Sequence, residues 1–349
     1  MKILINSAAA VSRNQYGAIE HYRNFGPYDH MIRYMGKDLE LHNANTLKSD
    51  LEISNFDTYH FQNPATERDV QVAAMCKKRG LKVIADFDDD LINLPVNNHN
   101  FEKLAHAKKH IQAFMEYADA VTVSTYALEE LHSQWCDPVR IPNCWYPQRQ
   151  PVATQEALAQ VMWRGSQSHA DDIVEFQNEV VDLIENSGTV RWVFWTDTAH
   201  IASWTMDIRG VAEDIRDGIP KEERKGRWLK LGAVPMEEYL DRLVTQIRPM
   251  VTIVPLKDYA FNHAKSNIAW IEATLAGGVA VCPDWKEWQN KGSLRYKNRH
   301  EFKAKVRKVL DGKVNIVKMR NESMKEIEQN YNLDKWNLER WKVIESLKV

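Results

Sequence analysis

The feature of this chain that most constrains its fold is a repeated alternation of short apolar runs with helix-like stretches. In the first half the apolar runs are KILIN (2–6), TYHFQ (58–62), KVIADF (82–87), AVTVS (120–124) and VRIPN (139–143). Stretches with helical patterning occupy residues 67–80, about 101–118 and 125–135. Short runs that are apolar throughout are typical of strands buried on both faces, so this order predicts a parallel sheet covered by helices.

The same alternation restarts after a polar segment, which predicts a second domain. Residues 147–159 contain two prolines and no apolar period, as expected of a linker. Further apolar runs follow at 159–166, 190–196, 228–234, 250–256 and 279–283, with helical stretches at 235–247 and 265–278. A chain of 349 residues is also longer than one core usually supports. We therefore predict an α/β fold in which two Rossmann-like, doubly wound domains, residues 1–150 and 151–330, face an interdomain cleft.

The final segment, residues 331–349, is predicted to be an amphipathic helix outside both sheets. Its apolar residues recur on or near one stripe: Trp336, Leu338, Trp341, Ile344 and Leu347. Such a stripe needs a surface to cover it. We expect this helix to pack back on the N-terminal domain.

Charge, cysteine spacing and hydropathy exclude several classes of protein. A net charge of -2 provides no global attraction to nucleic acid or to an anionic membrane, so any polyanion site must be local. The four cysteines lack metal-binding spacing, and we expect reduced thiols. No stretch approaches the roughly 20 apolar residues of a membrane span, and the N-terminus has the pattern of a first strand rather than of a signal peptide. These observations predict a cytoplasmic protein with no membrane span.

Residues 253–283 have the pattern of a phosphate-binding strand, loop and helix. Ligands of doubly wound sheets bind outside the carboxyl ends of the strands; here a strand is expected to end near Pro255 and a helix to begin near Ser266. The free N–H groups and the positive dipole end of a helix start suit a phosphate, and Lys265 adds a positive charge. Glu272 lies about two turns further along the same helix face, where it can accept hydrogen bonds from a ribose. A capped helix with a solvated lysine and glutamate is the alternative.

A second group of candidate residues is the acidic run DFDDD, residues 86–90, at the end of the predicted strand 82–87. Its carboxylates are Asp86, Asp88, Asp89 and Asp90. Spaced carboxylates after a strand can hold a metal ion, orient a sugar hydroxyl, or cap a following helix. From the residues alone all three functions remain open.

The segment 253–283 resembles the donor-binding helix of the GT-B glycosyltransferases of family four, the glycogen-synthase-like group. The matching residues are Pro255, Leu256, Asp258, Phe261, Asn262, Lys265, Ser266, Trp270, Glu272 and Gly277. The better-known form of the motif has two glutamates with seven residues between them; Glu272 matches the second, and Ala264 occupies the position of the first. The resemblance spans nearly the whole chain and implies the GT-B fold, a nucleotide-sugar donor with UDP as the favoured nucleotide, and transfer with retention of anomeric configuration.

The resemblance also implies roles for residues at several strand ends. On the donor side these residues are Arg164, Gly165, Ser166, Thr196, Lys265, Ser266 and Glu272. On the acceptor side they are Gly17, His21, Arg23 and His60. Lys265 is expected to stabilise the leaving diphosphate as a catalytic residue, and Asp197 to line the nucleotide pocket beside Thr196. Ordinary core or strand-end positions remain the alternative for the histidines and for the tryptophan-rich stretch around Thr196.

Under the same resemblance, the acidic run is expected to form the N-domain wall of the cleft. Asp88 takes the place where many relatives carry a histidine that approaches the donor sugar. We therefore predict that Asp88 contacts the sugar or the acceptor hydroxyl and that Asp89 holds it, both as catalytic residues. Asp90 is expected to cap the next helix and Asp86 to be structural. Because a helix start and basic side chains can neutralise the diphosphate, no metal ion or other cofactor is strictly required.

The predicted acceptor depends on a basic segment at residues 286–320. It contains twelve Lys or Arg against three Asp or Glu, a local charge of +9. Such a segment favours contact with double-stranded DNA, although a solvated amphipathic helix explains it as well. Length and architecture are also similar to those of bacteriophage glycosyltransferases that modify hydroxymethylated bases in DNA, which would place the protein in a host cytoplasm. The alternatives are transfer to a cell-envelope glycan, a protein or a small molecule, and a non-catalytic binding protein of the same fold.

Overall fold

The computed structural model describes residues 1–6, 16–98, 100–196 and 228–347, and these residues form two parallel sheets. Each sheet has six strands. Within each sheet, every pair of neighbouring strands among the described residues is parallel. The prediction of two successive doubly wound α/β units is therefore confirmed.

The first sheet contains the strands predicted for the N-terminal half and one more. The strands are β1 (Lys2–Asn6), β2 (Glu40–Asn43), β3 (Thr58–Gln62), β4 (Lys82–Phe87), β5 (Ala120–Val123) and β6 (Val139–Arg140). Their spatial order is β2-β1-β3-β4-β5-β6. The strand order therefore reverses between β1 and β3, and parallel sheets bind ligands outside the carboxyl ends of their strands at such a reversal.

Helices connect these strands and cover both faces of the first sheet. They are α1 (Ala18–Tyr22), α2 (Phe25–Met35), α3 (Glu67–Lys78), α4 (Ala107–Met115) and α5 (Tyr126–His132). The start of α3 is a reciprocal cap, because the Thr66 hydroxyl accepts from the Asp69 N–H and the Asp69 carboxylate accepts from the Thr66 N–H. The end of α3 is set by Gly80, whose φ of 80° suits glycine.

The core of the N-terminal domain lies on both faces of the first sheet. Leu4 packs on one face with Phe61. Its neighbours Ile3 and Ile5 pack on the other face with Tyr28. Successive side chains of a strand point to opposite faces, so a run that is apolar at every position is what this doubly covered strand requires.

The second sheet repeats this architecture in the C-terminal half. Its strands are β7 (Leu158–Arg164), β8 (Arg191–Trp195), β9 (Trp228–Leu231), β10 (Pro249–Ile253), β11 (Val279–Pro283) and β12 (Leu294–Tyr296), in the order β12-β11-β10-β7-β8-β9. The described helices around it are α6 (Ala170–Glu175), α7 (Gln177–Glu185), α8 (Met236–Arg242), α9 (Ala260–His263), α10 (Ile268–Leu275), α11 (Arg299–Leu310) and α12 (Ile316–Asn330). The reversal of strand order here lies between β7 and β10.

Two crossings of the chain between the domains lie side by side. The backbone N–H of Trp145 donates to the Tyr331 carbonyl at 2.7 Å, and the N–H of Leu333 donates to the Trp145 carbonyl at 2.9 Å. The segment that leaves the N-terminal domain at Trp145 and the segment that returns to it at residues 331–333 are therefore joined by backbone hydrogen bonds. We refer to this place as the hinge.

The last helix, α13 (Leu333–Ser346), returns to the N-terminal domain. Trp341, Ile344 and Leu347 are buried in the same cluster as Ile3. Leu338, which the sequence analysis placed on or near the apolar stripe, is instead 53% exposed. The buried stripe of α13 is thus narrower than the apolar pattern predicts.

The structure differs from the sequence analysis mainly at sheet edges and helix starts. Strands β2 and β12 were not predicted, because each is a short edge strand without a continuous apolar run. The helix predicted at about 101–118 begins only at Ala107. The helix expected near Ser266 begins at Ile268, and the helix predicted at 235–247 ends in one π-helical turn, Leu243–Ile247. These shifts of boundary follow from local hydrogen bonding that apolar periodicity does not record.

Within the described ranges, no helix is both long enough and apolar enough to cross a membrane. The four cysteines are free thiols, and Cys76, Cys144 and Cys282 are buried. Burial raises the pKa of each of these three thiols to about 12. Buried thiols with a raised pKa are unreactive core side chains.

Candidate active site

The candidate site is a pair of adjoining cavities at the carboxyl ends of the strands. The first, here called the interdomain cavity, has a volume of about 230 Å³, and its lining includes Asp88, Asp89, Asn143, Ser166, Lys265 and Ser266. The second, here called the side cavity, has a volume of about 210 Å³, and its lining includes Gly17, Gly165, Thr196, Met236, Tyr239 and Glu272. Arg164 and Ser166 line both cavities, so one elongated ligand can occupy the two together.

Asp86, the first carboxylate of the acidic run, is part of the protein core. It is buried and accepts two hydrogen bonds from Arg23, at 2.9 Å from Nε and 2.5 Å from Nη2, and one from the Thr122 hydroxyl at 2.5 Å. Burial acts to raise the pKa of Asp86, but the charge and hydrogen bonds of Arg23 outweigh it and hold the pKa below its ordinary value. The assignment of Arg23 to the acceptor side is therefore corrected: its guanidinium is the buried partner of Asp86 and lines neither cavity.

Asp88 is the carboxylate of the run that β4 delivers to the interdomain cavity. Its Oδ1 accepts from Asn63 Nδ2 at 2.5 Å and from Gln62 Nε2 at 3.3 Å, and its backbone N–H donates to Asn63 Oδ1 at 3.0 Å. Burial, with the neighbouring Asp89 carboxylate, raises the pKa of Asp88 to about 6. Asp88 is held by these two amide side chains, which the sequence analysis did not identify.

Asp89 instead reaches across the cleft to the C-terminal domain. Its Oδ1 lies 2.6 Å from Lys265 Nζ. Lys265 is mostly buried, and its ammonium group also lies 4.2 Å from the centre of the Phe261 ring. A predicted donor-site cation and a predicted catalytic carboxylate of the N-terminal domain are thus joined in one ion pair.

Asp90 stabilises a turn rather than the following helix. Its Oδ1 accepts from the backbone N–H groups of Ile92 and Asn93, both at 3.0 Å. The next helix, α4, begins only at Ala107. The expectation that Asp90 caps this helix is therefore wrong, because Asp90 caps a turn instead. The capping chemistry itself is the same, because a short carboxylate accepts from N–H groups two and three residues ahead.

The loop between β10 and α10 brings Lys265 and Ser266 to the interdomain cavity. Ile268 and Ala269, the first residues of α10, line the same cavity. The Ser266 hydroxyl accepts from Asn143 Nδ2 of the other domain at 2.9 Å. The helix α10 starts two residues later than predicted. Its N-terminal end and Lys265 nevertheless line the same interdomain cavity, and together they provide the positive charge and free N–H groups that bind an anion.

Glu272 is the centre of a buried polar cluster at the side cavity. It is 1% exposed, and its oxygens lie 2.9 Å from the Tyr22 hydroxyl, 2.8 Å from the Tyr239 hydroxyl and 2.6 Å from Arg164 Nε. The sequence analysis assigned no role to Tyr22 or to Tyr239. No local signal links these tyrosines to Glu272, because Tyr22 is 250 residues away in the chain.

Gly165 and its neighbours form the turn after β7 that the sequence analysis assigned to the donor. A Cβ atom at Gly165 would lie 2.6 Å from the Trp163 ring, so the tight packing of this turn requires glycine. Arg164 and Ser166 on either side line both cavities. Thr196 lines the side cavity, whereas Asp197 lies outside the described residues.

His21 and His60 are core side chains, so their assignment to the acceptor side is corrected. Each is almost completely buried, and neither lines the two cavities. His60 Nδ1 is 2.8 Å from the Tyr28 hydroxyl. Burial lowers the pKa of His60 to about 4 and that of His21 to about 3. Both rings therefore remain neutral at physiological pH.

The basic segment 286–320 is partly neutralised by carboxylates from other parts of the chain. Lys303 Nζ and Arg307 Nη2 lie 2.9 and 3.8 Å from Asp182, and Arg299 Nη1 lies 3.7 Å from Glu175. Glu175 belongs to α6, and Asp182 belongs to α7, the helix against which α11 packs. The local charge of +9 counted along the sequence therefore overstates the charge of this surface.

The described residues contain no group of three or more His, Cys, Asp or Glu side chains that could hold a metal ion. In the acidic run, three carboxylates are bound to different partners: Asp86 to Arg23, Asp89 to Lys265, and Asp90 to the backbone of the turn that follows it. Only the Asp88 carboxylate of the run is left to interact with a ligand without breaking an ion pair or a turn.

Two facing Rossmann-like domains with a cavity at the carboxyl ends of both sheets define the GT-B fold, and the chain has this fold. Compared by sequence, it matches no protein-family model and no curated protein. Solved structures share its fold at low sequence identity. One is described as "Trehalose-6-phosphate from E. coli bound with UDP-2-fluoro glucose", with a TM-score of 0.61 and 11% identity over 100% of this chain and 99% of that one.

Two further solved structures have the same fold. An alpha-glucosyltransferase in complex with UDP and a 13-mer DNA containing a central A:G mismatch has a TM-score of 0.60 and 10% identity, over 99% of both chains. A UDP-forming trehalose-phosphate synthase from Burkholderia xenovorans has a TM-score of 0.55 and 11% identity, over 84% of this chain and 75% of that one. At these identities the likeness establishes the fold.

Proposed function

We propose that the protein is a retaining glycosyltransferase that moves a sugar from a nucleotide sugar, with UDP as the nucleotide, to an acceptor hydroxyl. The observation that carries the proposal is the convergence of Lys265, Ser266 and the N-terminal end of α10 with Asp88 in one interdomain cavity. The similar fold of proteins bound to UDP or to a UDP-sugar analogue supports this donor.

The two cavities suit the two parts of such a donor. The interdomain cavity offers Lys265 and a helix N-terminus to the diphosphate. The side cavity offers the Glu272 carboxylate to the ribose, whose hydroxyls would compete with the hydroxyls of Tyr22 and Tyr239 for its oxygens. Arg164 lies between, where it can contact the diphosphate while still paired with Glu272.

In the proposed reaction, the bond between the anomeric carbon and the diphosphate oxygen breaks as the acceptor oxygen attacks from the same face. The acceptor proton passes to the departing diphosphate oxygen, and UDP leaves. Lys265 and the N–H groups at the start of α10 stabilise the negative charge that develops on the diphosphate. This arrangement supplies positive charge from the protein itself, so the proposed transfer requires no divalent metal.

Asp88 is proposed to orient the sugar or the acceptor hydroxyl. With a pKa of about 6, its carboxylate is mostly ionised at neutral pH and accepts a hydrogen bond from a hydroxyl group. Asn63 and Gln62 hold the carboxylate in place. Asp89 takes part indirectly, because it must release Lys265 before the lysine can bind the diphosphate fully.

We propose a hydroxymethylated base in double-stranded DNA as the acceptor. The whole-chain likeness to an alpha-glucosyltransferase bound to DNA supports this choice. Within the basic segment, Arg295 lies in β12 and Lys297 directly follows this strand, whereas α11 packs against α7. An acceptor base must leave the duplex to enter the interdomain cavity.

The test is release of UDP from a panel of UDP-sugars with hydroxymethylated DNA, with unmodified DNA and with no acceptor. We expect release that depends on hydroxymethylated DNA, unchanged by EDTA, and lost in Lys265→Ala. Release that requires a different acceptor would keep the glycosyltransferase and contradict DNA. Tight donor binding without release under any condition would contradict catalysis and favour a binding protein of the same fold.

A further inference from the structure

A third cavity lies at the hinge, and the proposed transfer does not use it. It has a volume of about 430 Å³. Its lining comes from both domains and both crossings: Tyr126, Arg140, Pro142, Tyr331, Lys335 and Trp336. We call it the hinge cavity. Pro142 lines it, while the next residue in the chain, Asn143, lines the interdomain cavity.

Positive charge dominates the hinge cavity. Arg140 and Lys335 line it, and Lys286 lies beside it with Nζ 4.5 Å from the centre of the Tyr126 ring. Among the described residues, none of these three cations forms an ion pair with a carboxylate, in contrast to Lys303 and Arg307 of α11. The buried Glu287 carboxylate, which accepts from the Tyr126 N–H at 3.2 Å, interacts electrostatically with Arg140 and Lys286 and offsets part of this charge. The three cations still outnumber Glu287 and Glu326, and an excess of cations around one concave space attracts an anion.

Glu326, the acidic residue in the lining of the hinge cavity, forms no ion pair with Arg140 or Lys335. Glu326 accepts a hydrogen bond from the backbone N–H of Lys291 at 2.6 Å, and the Asn290 side chain also lies within hydrogen-bonding distance. Its carboxylate is therefore directed to the segment that follows β11 rather than to Arg140 or Lys335. The cations remain available to a ligand.

Aromatic rings hold the Arg140 guanidinium in a fixed orientation. Its central carbon lies 3.9 Å from the centre of the Tyr126 ring and 5.4 Å from that of Trp336, and Nη2 donates to the Tyr126 hydroxyl at 3.2 Å. The Trp336 ring is itself fixed, because its Nε1 donates to the Asn330 carbonyl at 2.6 Å. A stacked guanidinium presents a preorganised fork that matches a phosphate.

We propose that the hinge cavity binds a nucleotide unit, with its phosphate on Arg140 and Lys335 and its base against the aromatic wall formed by Trp336 and Tyr331. Cations combined with rings on which bases stack are the combination that recognises single nucleotides and nucleotide strands. The same chemistry is offered by a free nucleotide and by one unit of a single-stranded segment. This inference does not depend on the proposed transfer, since Arg140, Lys335, Trp336 and Tyr331 have no part in it.

The test is titration calorimetry of the full chain with dAMP, and separately with the oligonucleotide (dA)6. We expect saturable binding that Lys265→Ala, a substitution in the interdomain cavity, leaves unchanged. Deoxyadenosine, which lacks the phosphate, should bind at least roughly tenfold more weakly, as should dAMP to Lys335→Ala and to Arg140→Lys. The matched control is Lys318→Ala, an exposed lysine of α12 outside the cavity, which should bind dAMP as the wild type does.

The two probes separate the two sources of the ligand. Equal affinity per site for dAMP and (dA)6 identifies a free nucleotide, and at least roughly tenfold tighter binding of (dA)6 identifies a strand; both outcomes support the proposal. The proposal is overturned if neither probe binds saturably, or if Lys335→Ala and Arg140→Lys both retain wild-type affinity. Lys335 is exposed, so its substitution tests the site without disturbing the core.

Discussion

Lys265 and Asp89, 176 residues apart in the chain, form an ion pair across the interdomain cavity with 2.6 Å between Nζ and Oδ1. The lysine proposed to hold the leaving diphosphate is therefore already neutralised by a carboxylate of the other domain. A diphosphate would have to replace that carboxylate. Donor binding and the contact between the domains are thus linked through one ammonium group.

Removal of the ammonium group should lower turnover much more than stability. For Lys265→Ala we expect kcat for UDP release to fall roughly 100-fold or more, because charge on the leaving diphosphate loses its stabilising partner. The free energy of unfolding should change by less than about 1 kcal/mol, since a partly exposed ion pair contributes little. Steady-state kinetics and urea unfolding measure the two effects. Lys318→Ala is the control, and a kcat within about threefold of wild type would sink the assignment.

Asp89→Asn should tighten the binding of UDP. The lysine would then be free of its competing carboxylate, and we expect a dissociation constant roughly two- to fivefold lower, the size of a partly exposed ion pair. Calorimetric titration with UDP measures this change. In the background of Lys265→Ala the same substitution should have no effect. Weaker binding in Asp89→Asn would show that the carboxylate assists the donor rather than competes with it.

Glu272→Gln should weaken donor binding while leaving the fold intact. The amide keeps the shape of the side chain but loses the charge that accepts the ribose hydrogen bonds, so we expect a roughly 10- to 100-fold rise in the dissociation constant of UDP. Tyr239→Phe, which removes one donor to the same carboxylate at 2.8 Å, is the matched control and should change the constant less. An unaltered UDP affinity in Glu272→Gln would refute the ribose contact.

The raised pKa of Asp88 predicts a pH dependence of both activity and stability. Transfer should decline as the pH falls through about 6, because the carboxylate becomes protonated and no longer accepts a hydrogen bond. In Asp88→Asn the rate should be low and this acidic limb should vanish. A pH–rate profile of kcat/KM for the two proteins checks the assignment, and an unchanged limb in the variant would assign it to another group.

The same pKa fixes the sign of the stability effect. Since the folded state disfavours ionised Asp88, its contribution to stability is lost as the pH rises from the ordinary pKa of an aspartate through about 6. Asp88→Asn should therefore be more stable than wild type by about 1–2 kcal/mol near pH 8 and not near pH 4. Urea unfolding at the two pH values provides the comparison.

The buried pair of Arg23 and Asp86 should behave as a structural unit. Arg23→Met leaves a buried carboxylate without its partner and should cost about 3–5 kcal/mol of unfolding free energy, whereas the double variant Arg23→Met/Asp86→Leu should recover much of the loss. Arg33→Ala removes an exposed ion pair with Asp29 and should cost less than about 1 kcal/mol. A loss below about 1 kcal/mol in Arg23→Met would restore Arg23 as a candidate for the cleft.

Much of the architecture could be predicted from the chain because the relevant signals are local. A strand covered on both faces, such as β1 or β11, must be apolar at every position, and the alternation with helices then leads to parallel sheets. Edge strands β2 and β12 escaped prediction for the same reason, since their short polar runs lack that signal. The loop with Lys265 and Ser266 was found because a helix start after a strand is a local pattern.

An acidic run at the end of β4, and Lys265, Ser266 and Glu272 after β10, can be recognised in the chain without its fold. Which carboxylate faces the cavity depends on tertiary contacts, because Asp86 and Asp89 pair with residues 63 and 176 positions away. Tertiary packing also places Tyr22 on Glu272 across 250 residues and Asp182 beside the basic helix α11. The periodicity of apolar side chains and the positions of strand ends depend on neighbouring residues in the chain. An ion pair between distant residues depends on how complete domains pack, and no local sequence pattern shows which distant residues will meet.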